Sequence, residues 1–352
     1  MYAQQFSIKK LTASNGAVFS LINIKGAGDE QNFLVVSQSE LYPKKELFAL
    51  VNQILKSLPD GTIPLYQPIN RTYLVSSSAM DLIIACNALE SVRFSGTKKN
   101  DWYIKEAVNV MESNQVVYAG KYSAPDYELL VSEGCSLAIE NTMIYHKPEV
   151  IEKLKELGIP CLVEKSGNES HPLGRLEWIK LYGVLFGRES LAQDFFDNQV
   201  EKISSVLNQK KTDKTVAFFY VTKNGSINVR TSRDYIAKMI ELAGGNYVPD
   251  LKLKEEDNSS TRNIQVEDFF AKAKDADIMV YNAIVDRPIE TLNDLLEKND
   301  IFEAFSAVKN KKVFCIGREF FQSTTGVTQF IADMNNVISG KDTELVYIKK
   351  VW

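Results

Sequence analysis

From Tyr73 to Glu164 the chain keeps a steady rhythm of short apolar runs and amphipathic helical stretches. Tyr73-Leu-Val-Ser, Val92-Arg-Phe, Val116-Val-Tyr-Ala, Ser136-Leu-Ala-Ile-Glu and Ile159-Pro-Cys-Leu-Val-Glu read as buried strands, with helical segments at 79–89, 104–112, 126–133 and 148–157 separating them. Strand–helix–strand units of this length join parallel strands, so they predict a parallel sheet with helices on both faces. The rhythm then stops. Between Leu173 and about Leu207 the apolar positions Leu176, Ile179, Leu185, Phe186, Ala192, Phe196, Val200 and Ile203 follow helical spacing, a run that would reach ~50 Å if unbroken. Gly187 falls inside it, where it marks a kink or, as is commoner for a mid-helix glycine, is merely tolerated. After the polar stretch Gln209–Lys214 the alternation resumes. Strands are expected at 216–221, 227–230, 278–282 and 312–316, with Asn224-Gly225 as a hairpin turn. Helices are expected at 233–243, 266–273, 289–308 and 327–338. The reading is α/β: two lobes joined by one long helix, which as a stiff strut holds them nearly fixed.

The first 62 residues differ. Phe6-Ser-Ile, Val18–Ile24 and Phe33–Ser37 are β-prone, and a helical segment from Pro43 ends at Pro59-Asp-Gly61. They form either an added sheet or an edge extension of the first lobe. The length of 352 residues accommodates two cores, and a net charge of −4 with no Lys/Arg-rich run argues against a nucleic-acid partner. The pairs Lys98-Lys99 and Lys210-Lys211 read as solvated loop ends. No apolar run approaches the ~20 residues of a membrane-spanning helix. The opening MYAQQFSIKK contains no signal-peptide core, which fits either a cytosolic chain or a form without its targeting segment. Cys86, Cys135, Cys161 and Cys315 sit singly in apolar segments without metal-ligand spacing, and are expected as buried free thiols.

In open parallel sheets, ligands sit outside the carboxyl ends of the strands. Those stretches carry Trp102, Tyr103, Tyr122, Tyr145, His146, His171 and Arg175 in the first lobe. In the second they carry Arg230, Tyr235, Arg287, Arg318 and Phe320. Aromatic faces with arginines suit a bulky, flat, partly anionic ligand, and Trp102, Tyr145, Arg230 and Arg287 lead the set. No GxSxG, GxxxxGK[ST] or HExxH motif is present. His146 and His171 lie on neighbouring strand-end loops within reach of one metal, although hydrogen bonding is the favoured role of each. The stretch His171-Pro-Leu-Gly-Arg-Leu-Glu-Trp-Ile-Lys-Leu-Tyr-Gly183 reads as the root of the long helix, with Pro172 in its first turn. Most of its charge is expected on the helix surface, with only His171 and Arg175 near a ligand.

Several passages, in order, carry a family resemblance. They are Ile69-Asn-Arg-Thr-Tyr-Leu-Val-Ser-Ser-Ser-Ala-Met-Asp, Ala124-Pro-Asp-Tyr-Glu-Leu-Leu, Glu152-Lys-Leu-Lys-Glu-Leu-Gly-Ile-Pro, Ile240-Glu-Leu-Ala-Gly-Gly-Asn and Gln265-Val-Glu-Asp followed by Ala276-Asp-Ile-Met-Val. Over roughly residues 64 to 340 the chain resembles the substrate-binding proteins of ABC importers for iron–siderophore, heme and cobalamin-type ligands. The resemblance implies two Rossmann-like lobes with parallel sheets, at 63–171 and 214–352, joined by a single rigid helix at 172–208, with 1–62 as a β-rich extension. It implies a non-enzymatic, monomeric binding protein with no intrinsic cofactor. The expected ligand is an iron–siderophore held in a shallow inter-lobe cleft that closes modestly. Heme or a corrinoid is the alternative, with Tyr145, His146 or His171 as axial ligand. A two-domain enzyme with a cleft active site is the remaining class. The implied partners are an ABC permease and its ATPase, met through Glu128 and Glu267, although a carboxylate opening a helix is favoured by the helix dipole in any case. The expected location is extracytoplasmic, as a periplasmic protein or a membrane-anchored lipoprotein whose signal and anchor cysteine are absent from this sequence.

Overall fold

The apolar runs of the first half form one parallel sheet in the order Cys161–Glu164, Leu137–Asn141, Thr72–Leu74, Val92–Ser95, Val117–Tyr118. A computed structural model of the chain describes residues 1–13, 15–26, 28–37, 43–251 and 259–352. They divide into two units. The first is Met1–Glu169 with Gly174–Asp197, and the second is Ser170–Leu173 with Asn198–Trp352. Both units are α/β, as the alternation predicts.

In the first unit the central strands are buried on both faces because helices cover both. One core gathers Tyr73, Phe94, Leu130, Ala138, Val150 and Leu154 under the helices Tyr127–Ser132 and Pro148–Glu156. On this sheet's other side, Ser77–Ala85 packs against the helix Ile179–Phe186.

The N-terminal residues form their own sheet and do not extend the edge of the first. Phe6–Thr12, Val18–Ile24 and Gln31–Val36 pair antiparallel in sequence, and Gln31–Val36 then pairs parallel with Ile63–Tyr66. The crossover helix Lys44–Leu55 closes a small core of Phe19, Leu34, Val36 and Val51. This layer also shields the neighbouring edge strand. The Gln31 side chain donates to Val163 O at 3.3 Å and accepts from Val163 N at 2.8 Å, so one amide satisfies both backbone groups that a further strand would have paired.

The stretch from His171 to Gly183 departs most from expectation. Its charge was placed on a helix surface, yet Glu177 and Trp178 are buried, with Glu177 only 2% exposed. The reason is that the N-terminal segment folds over it. Glu177 Oε2 accepts from the backbone N–H of Tyr2 at 2.6 Å and of Ala3 at 2.9 Å, while Oε1 accepts from Lys180 at 2.8 Å. Buried Glu169 accepts from Gln4 N and Gln5 N and from the Trp178 indole at 3.0 Å. Phe6 then packs edge-on against Trp178, with centroids 4.9 Å apart.

The helical run to residue 207 is present but is not one rod. It comprises Pro172–Glu177, Ile179–Phe186, Glu189–Lys202 and Ser204–Leu207. The main break is at Gly187, whose φ of +66° is a left-handed cap that glycine adopts without Cβ strain. Gln67 Nε2 donates to Val184 O at 2.7 Å and Leu185 O at 3.2 Å, satisfying carbonyls that the helix end leaves open.

The second unit holds a mixed sheet, ordered Thr261–Ile264, Ile227–Arg230, Thr215–Val221, Ile278–Asn282, Val313–Ile316, Lys349–Lys350, with Asn246–Val248 beside the start of Thr215–Val221. Its centre is parallel, as expected, while the hairpin strand and Lys349–Lys350 run antiparallel to it, and Thr261–Ile264 pairs antiparallel with the hairpin strand. The helix expected over 289–308 is instead the short helices Leu292–Leu296 and Ser306–Lys309 with a 3-10 turn between them. Thr291 and Asp294 cap the first of these reciprocally, which fixes its start at Leu292, three residues later than periodicity suggested.

Burial opposes ionisation of Glu177, but the hydrogen bonds from Lys180, Ala3 and Tyr2 outweigh it and hold the carboxyl below the ordinary carboxylate range. Its stabilisation is therefore present above pH ~4.5 and is lost as pH falls through the depressed value. Glu177→Ala is expected to lower unfolding stability by about 3 kcal/mol in urea titrations at pH 7. Glu177→Gln should flatten the loss of stability that the native protein shows below pH ~4.5.

Candidate functional site

In the first unit the strand order reverses beside Thr72–Leu74. The next two strands in sequence lie on one side of it, and Leu137–Asn141 and Cys161–Glu164 lie on the other. The crevice outside Thr72–Leu74 and Leu137–Asn141 is thus the topological switch point. Ser76–Ser78 and the 3-10 turn Thr142–His146 edge it. Beside the start of the helix Ser77–Ala85 lies a buried carboxylate. Glu164 accepts from Ser76 Oγ at 2.9 Å, more weakly from Ser78 Oγ at 3.4 Å, and from Ser166 N at 2.7 Å. A side chain thus already complements the positive end of that helix.

Tyr145 and His146 are exposed on the turn. Tyr145 is not an isolated contact, however. Lys165, 4% exposed, lies 5.6 Å from its ring centroid, bonds Asp29 at 2.5 Å and donates to Lys25 O at 3.0 Å. Asp29 comes from the N-terminal layer, and its carboxylate lies near enough to the Tyr145 hydroxyl to act on it electrostatically. Gly26 permits this approach, since a Cβ there would lie 2.7 Å from Lys165 Nζ. Burial and the Asp29 carboxylate push the Tyr145 hydroxyl well above its ordinary pKa, disfavouring the phenolate.

Other candidates in this unit spread out. Trp102 is buried and its indole donates to Ser95 Oγ at 3.3 Å, which makes it a core residue. Tyr103 is exposed, and Tyr122 packs half-buried on the core. Arg175 is half-buried and donates to Gly167 O at 3.4 Å. Glu128 is exposed in the first turn of Tyr127–Ser132, which Asp126 caps.

Sequence reasoning passed over Glu140, fully buried in Leu137–Asn141, with neither carboxylate oxygen hydrogen-bonded. Desolvation raises its pKa from 4.5 to about 8, and its charge is felt by Tyr73, Tyr127 and Cys161. An acidic residue near the end of a strand buried on both faces was the signal available.

The second unit has its switch point beside Thr215–Val221 and Ile278–Asn282. A pocket of about 320 Å³ sits there, lined by Val221, Thr222, Lys223 and Gly225 of the hairpin, by Val285 and Asp286, and by Lys298. That volume lies at the small end of the roughly 300–1,000 Å³ typical of ligand sites. Lys298 and Asp286 are ion-paired, and the Lys298 ammonium lies 5.2 Å from the Tyr281 ring centroid. The hydrogen bond from Lys298 holds the Asp286 carboxyl below its ordinary pKa. Lys223 and Asp286 lie in the strand-end stretches 220–223 and 282–287, where a site is expected, but neither was singled out, and Lys298 was not anticipated. Lys298 comes from the stretch read as one continuous helix, where no periodic signal aims it at the strand ends.

Arg287 is exposed and follows Asp286 directly. Arg230 is committed elsewhere. It pairs with Asp234 at 3.7 Å and stacks 5.7 Å from the centroids of both Phe218 and Phe321. Tyr235 is half-buried and opens a helix that Asp234 caps. Arg318 is exposed, whereas Phe320 is buried against Phe330 and Tyr347. His171, half-buried, accepts from Leu173 N on Nδ1 at 3.2 Å. The neutral ring therefore carries its proton on Nε2 and acts there as a donor. Burial and the charge of Lys238 lower its pKa. Glu267 is exposed in the first turn of Val266–Ala273. The four cysteines are free. No group of three or more His, Cys, Asp or Glu able to hold a metal occurs among the described residues.

Residues 74–319 match the family model described as periplasmic binding protein. An uncharacterized lipoprotein of Methanocaldococcus jannaschii is 29% identical over 72% of this chain, which spans 61% of that relative's length. A periplasmic binding protein from Veillonella parvula superposes with a TM-score of 0.65 at 13% identity, over 91% of this chain and 98% of that one. A periplasmic heme binding protein of Vibrio cholerae gives 0.59 at 16% identity, over 74% and 97%.

Because Glu140 binds its proton more tightly in the folded chain, stability falls as pH rises from 4.5 towards about 8. Glu140→Gln removes this dependence. Relative to the native protein, it is expected to gain roughly 1.4 kcal/mol per pH unit across that window, read from urea midpoints at successive pH values.

Proposed function

The chain belongs to the periplasmic binding protein family, and from that premise we propose that it is the solute-binding component of an ABC importer, capturing an iron–siderophore-type metal chelate. The observation that carries this reading is the pocket at the second unit's switch point, where Lys223 and the Lys298–Asp286 ion pair leave a net positive charge beside the apolar Val221 and Val285. A ferric chelate brings its metal already ligated by its own oxygens. It asks of the protein only cationic and apolar contact for a partly anionic shell. The pocket has room for one arm of such a ligand, and exposed Arg287 stands next to it. No acid–base or nucleophilic chemistry is required by this reading.

Heme or a corrinoid remains the second ligand class, favoured by exposed His146. The other two axial candidates suit it less. Tyr145 resists ionisation beside Asp29, and His171 presents an Nε2 proton. Delivery would use exposed Glu128 and Glu267 against cationic residues of a permease. The lipoprotein description of the archaeal relative supports an extracytoplasmic location.

Calorimetric titration of the full chain with ferric hydroxamates, ferric catecholates, heme and a corrinoid tests the reading. A ferric siderophore is expected to bind, and Lys223→Glu should weaken it at least tenfold, about 1.4 kcal/mol. Binding of heme alone, with a Soret shift abolished by His146→Ala, would replace the siderophore reading. Silence across the panel would reject both.

A further inference from the structure

The second unit carries a pole of positive charge at the end opposite its switch point. Four stretches separated in sequence meet there: 208–214, 274–277 and 309–312, which lead into three parallel strands, and the tail 340–350. Together they hold ten lysines, no arginine and five acidic residues, a local surplus of five positive charges on a chain whose net charge is −4. All ten lysines are exposed, and among the described residues only Lys214 is ion-paired, to Asp277 at 2.6 Å. Lys312, Lys341, Lys349 and Lys350 line a groove of about 500 Å³, and a second of about 710 Å³ adjoins it at Lys312, Val337 and Gly340. Trp352 stands at the rim of the first groove, 76% exposed, with Lys350 Nζ 4.3 Å from its ring centroid. Backbone bonds from Trp352 N to Glu290 O and from Leu292 N to Trp352 O fix it there.

We propose that this lysine face, with Trp352 as its apolar anchor, docks on an anionic lipid bilayer. The residue types select that partner. Arginine forks suit defined phosphates, whereas lysines are hydrated point charges, which respond to the diffuse field of a charged membrane. Tryptophan partitions to the headgroup region, where its ring is apolar and its N–H stays wet. The attraction acts within a Debye length of the surface and weakens with salt. The inference is independent of which solute the protein carries.

The test uses the full chain in flotation with vesicles of phosphatidylcholine alone and of phosphatidylcholine with phosphatidylglycerol. Binding is expected only to the anionic vesicles, and K312E/K341E/K349E/K350E should reduce it at least roughly tenfold. These four side chains are exposed, and unchanged circular dichroism and melting temperature establish that the variant folds. Of the three tryptophans, Trp102 and Trp178 are buried, so Trp352 reports the contact. Emission should shift to the blue and lose iodide quenching on the anionic vesicles, and Trp352→Phe should remove both changes. Equal binding to neutral vesicles, no binding to anionic ones, or an unchanged charge-reversed variant would overturn the proposal. So would tight heparin binding without anionic-vesicle binding, which would mark the face as a site for a soluble polyanion.

Discussion

Two buried carboxylates at the root of the helical connection hold the first unit together. Glu169 and Glu177 take the backbone N–H groups of Tyr2 to Gln5, and Trp178 fills the space between that segment and the helix. Buried carboxylates left unpaired would be costly, and backbone N–H groups buried without acceptors would be costly too. Each set satisfies the other. The N-terminal sheet is thereby fixed against the first α/β sheet, and two further contacts depend on its position. One is the Gln31 amide that finishes the edge strand at Val163; the other is Asp29, which pairs with Lys165 and places its charge near the Tyr145 hydroxyl.

This coupling changes the chemistry at the carboxyl ends of the first sheet. Tyr145 looks in sequence like a free aromatic contact, but it is tied through Asp29 to a layer more than a hundred residues earlier. At the same end, Glu164 lies beside the start of the helix Ser77–Ala85, and Glu140 lies buried with its pKa pushed up by desolvation. The first unit thus offers little vacant positive charge at its switch point. The second unit offers Lys223 at its own, beside the Lys298–Asp286 ion pair. Under the proposed function, the cationic contact to an anionic solute would come from the second unit.

Much of the fold was legible in the sequence. The strands at 92–95, 137–141, 227–230 and 278–282 fall where apolar runs placed them, because strands buried on both faces leave a continuous signal. The connection was read as one helix because hydrophobic spacing continues through Gly187, and the cap that turns the chain needs Gln67 from elsewhere. The site was less legible. Trp102 and Phe320 carry the right chemistry but face cores, while Lys298 reaches the pocket from a segment whose periodicity suggested something else. Which way a loop side chain points depends on the neighbours it packs against, and these lie far away in sequence.

The sequence by itself determined the α/β alternation, the parallel centres of both sheets, the family and the exposed acidic residues that open two helices. These follow from local periodicity, turn chemistry and caps, which act over a few residues. Only the tertiary structure decided that the charge of Glu177 is internal, that Asp29 belongs beside Tyr145, and that four scattered lysine segments share one face. A mild net charge with no basic run concealed that face, since its parts are spread over some 140 residues. Parallel sheets bring the loops before their strands to one end whatever their separation in sequence, so the charge pattern exists only once the sheet has formed.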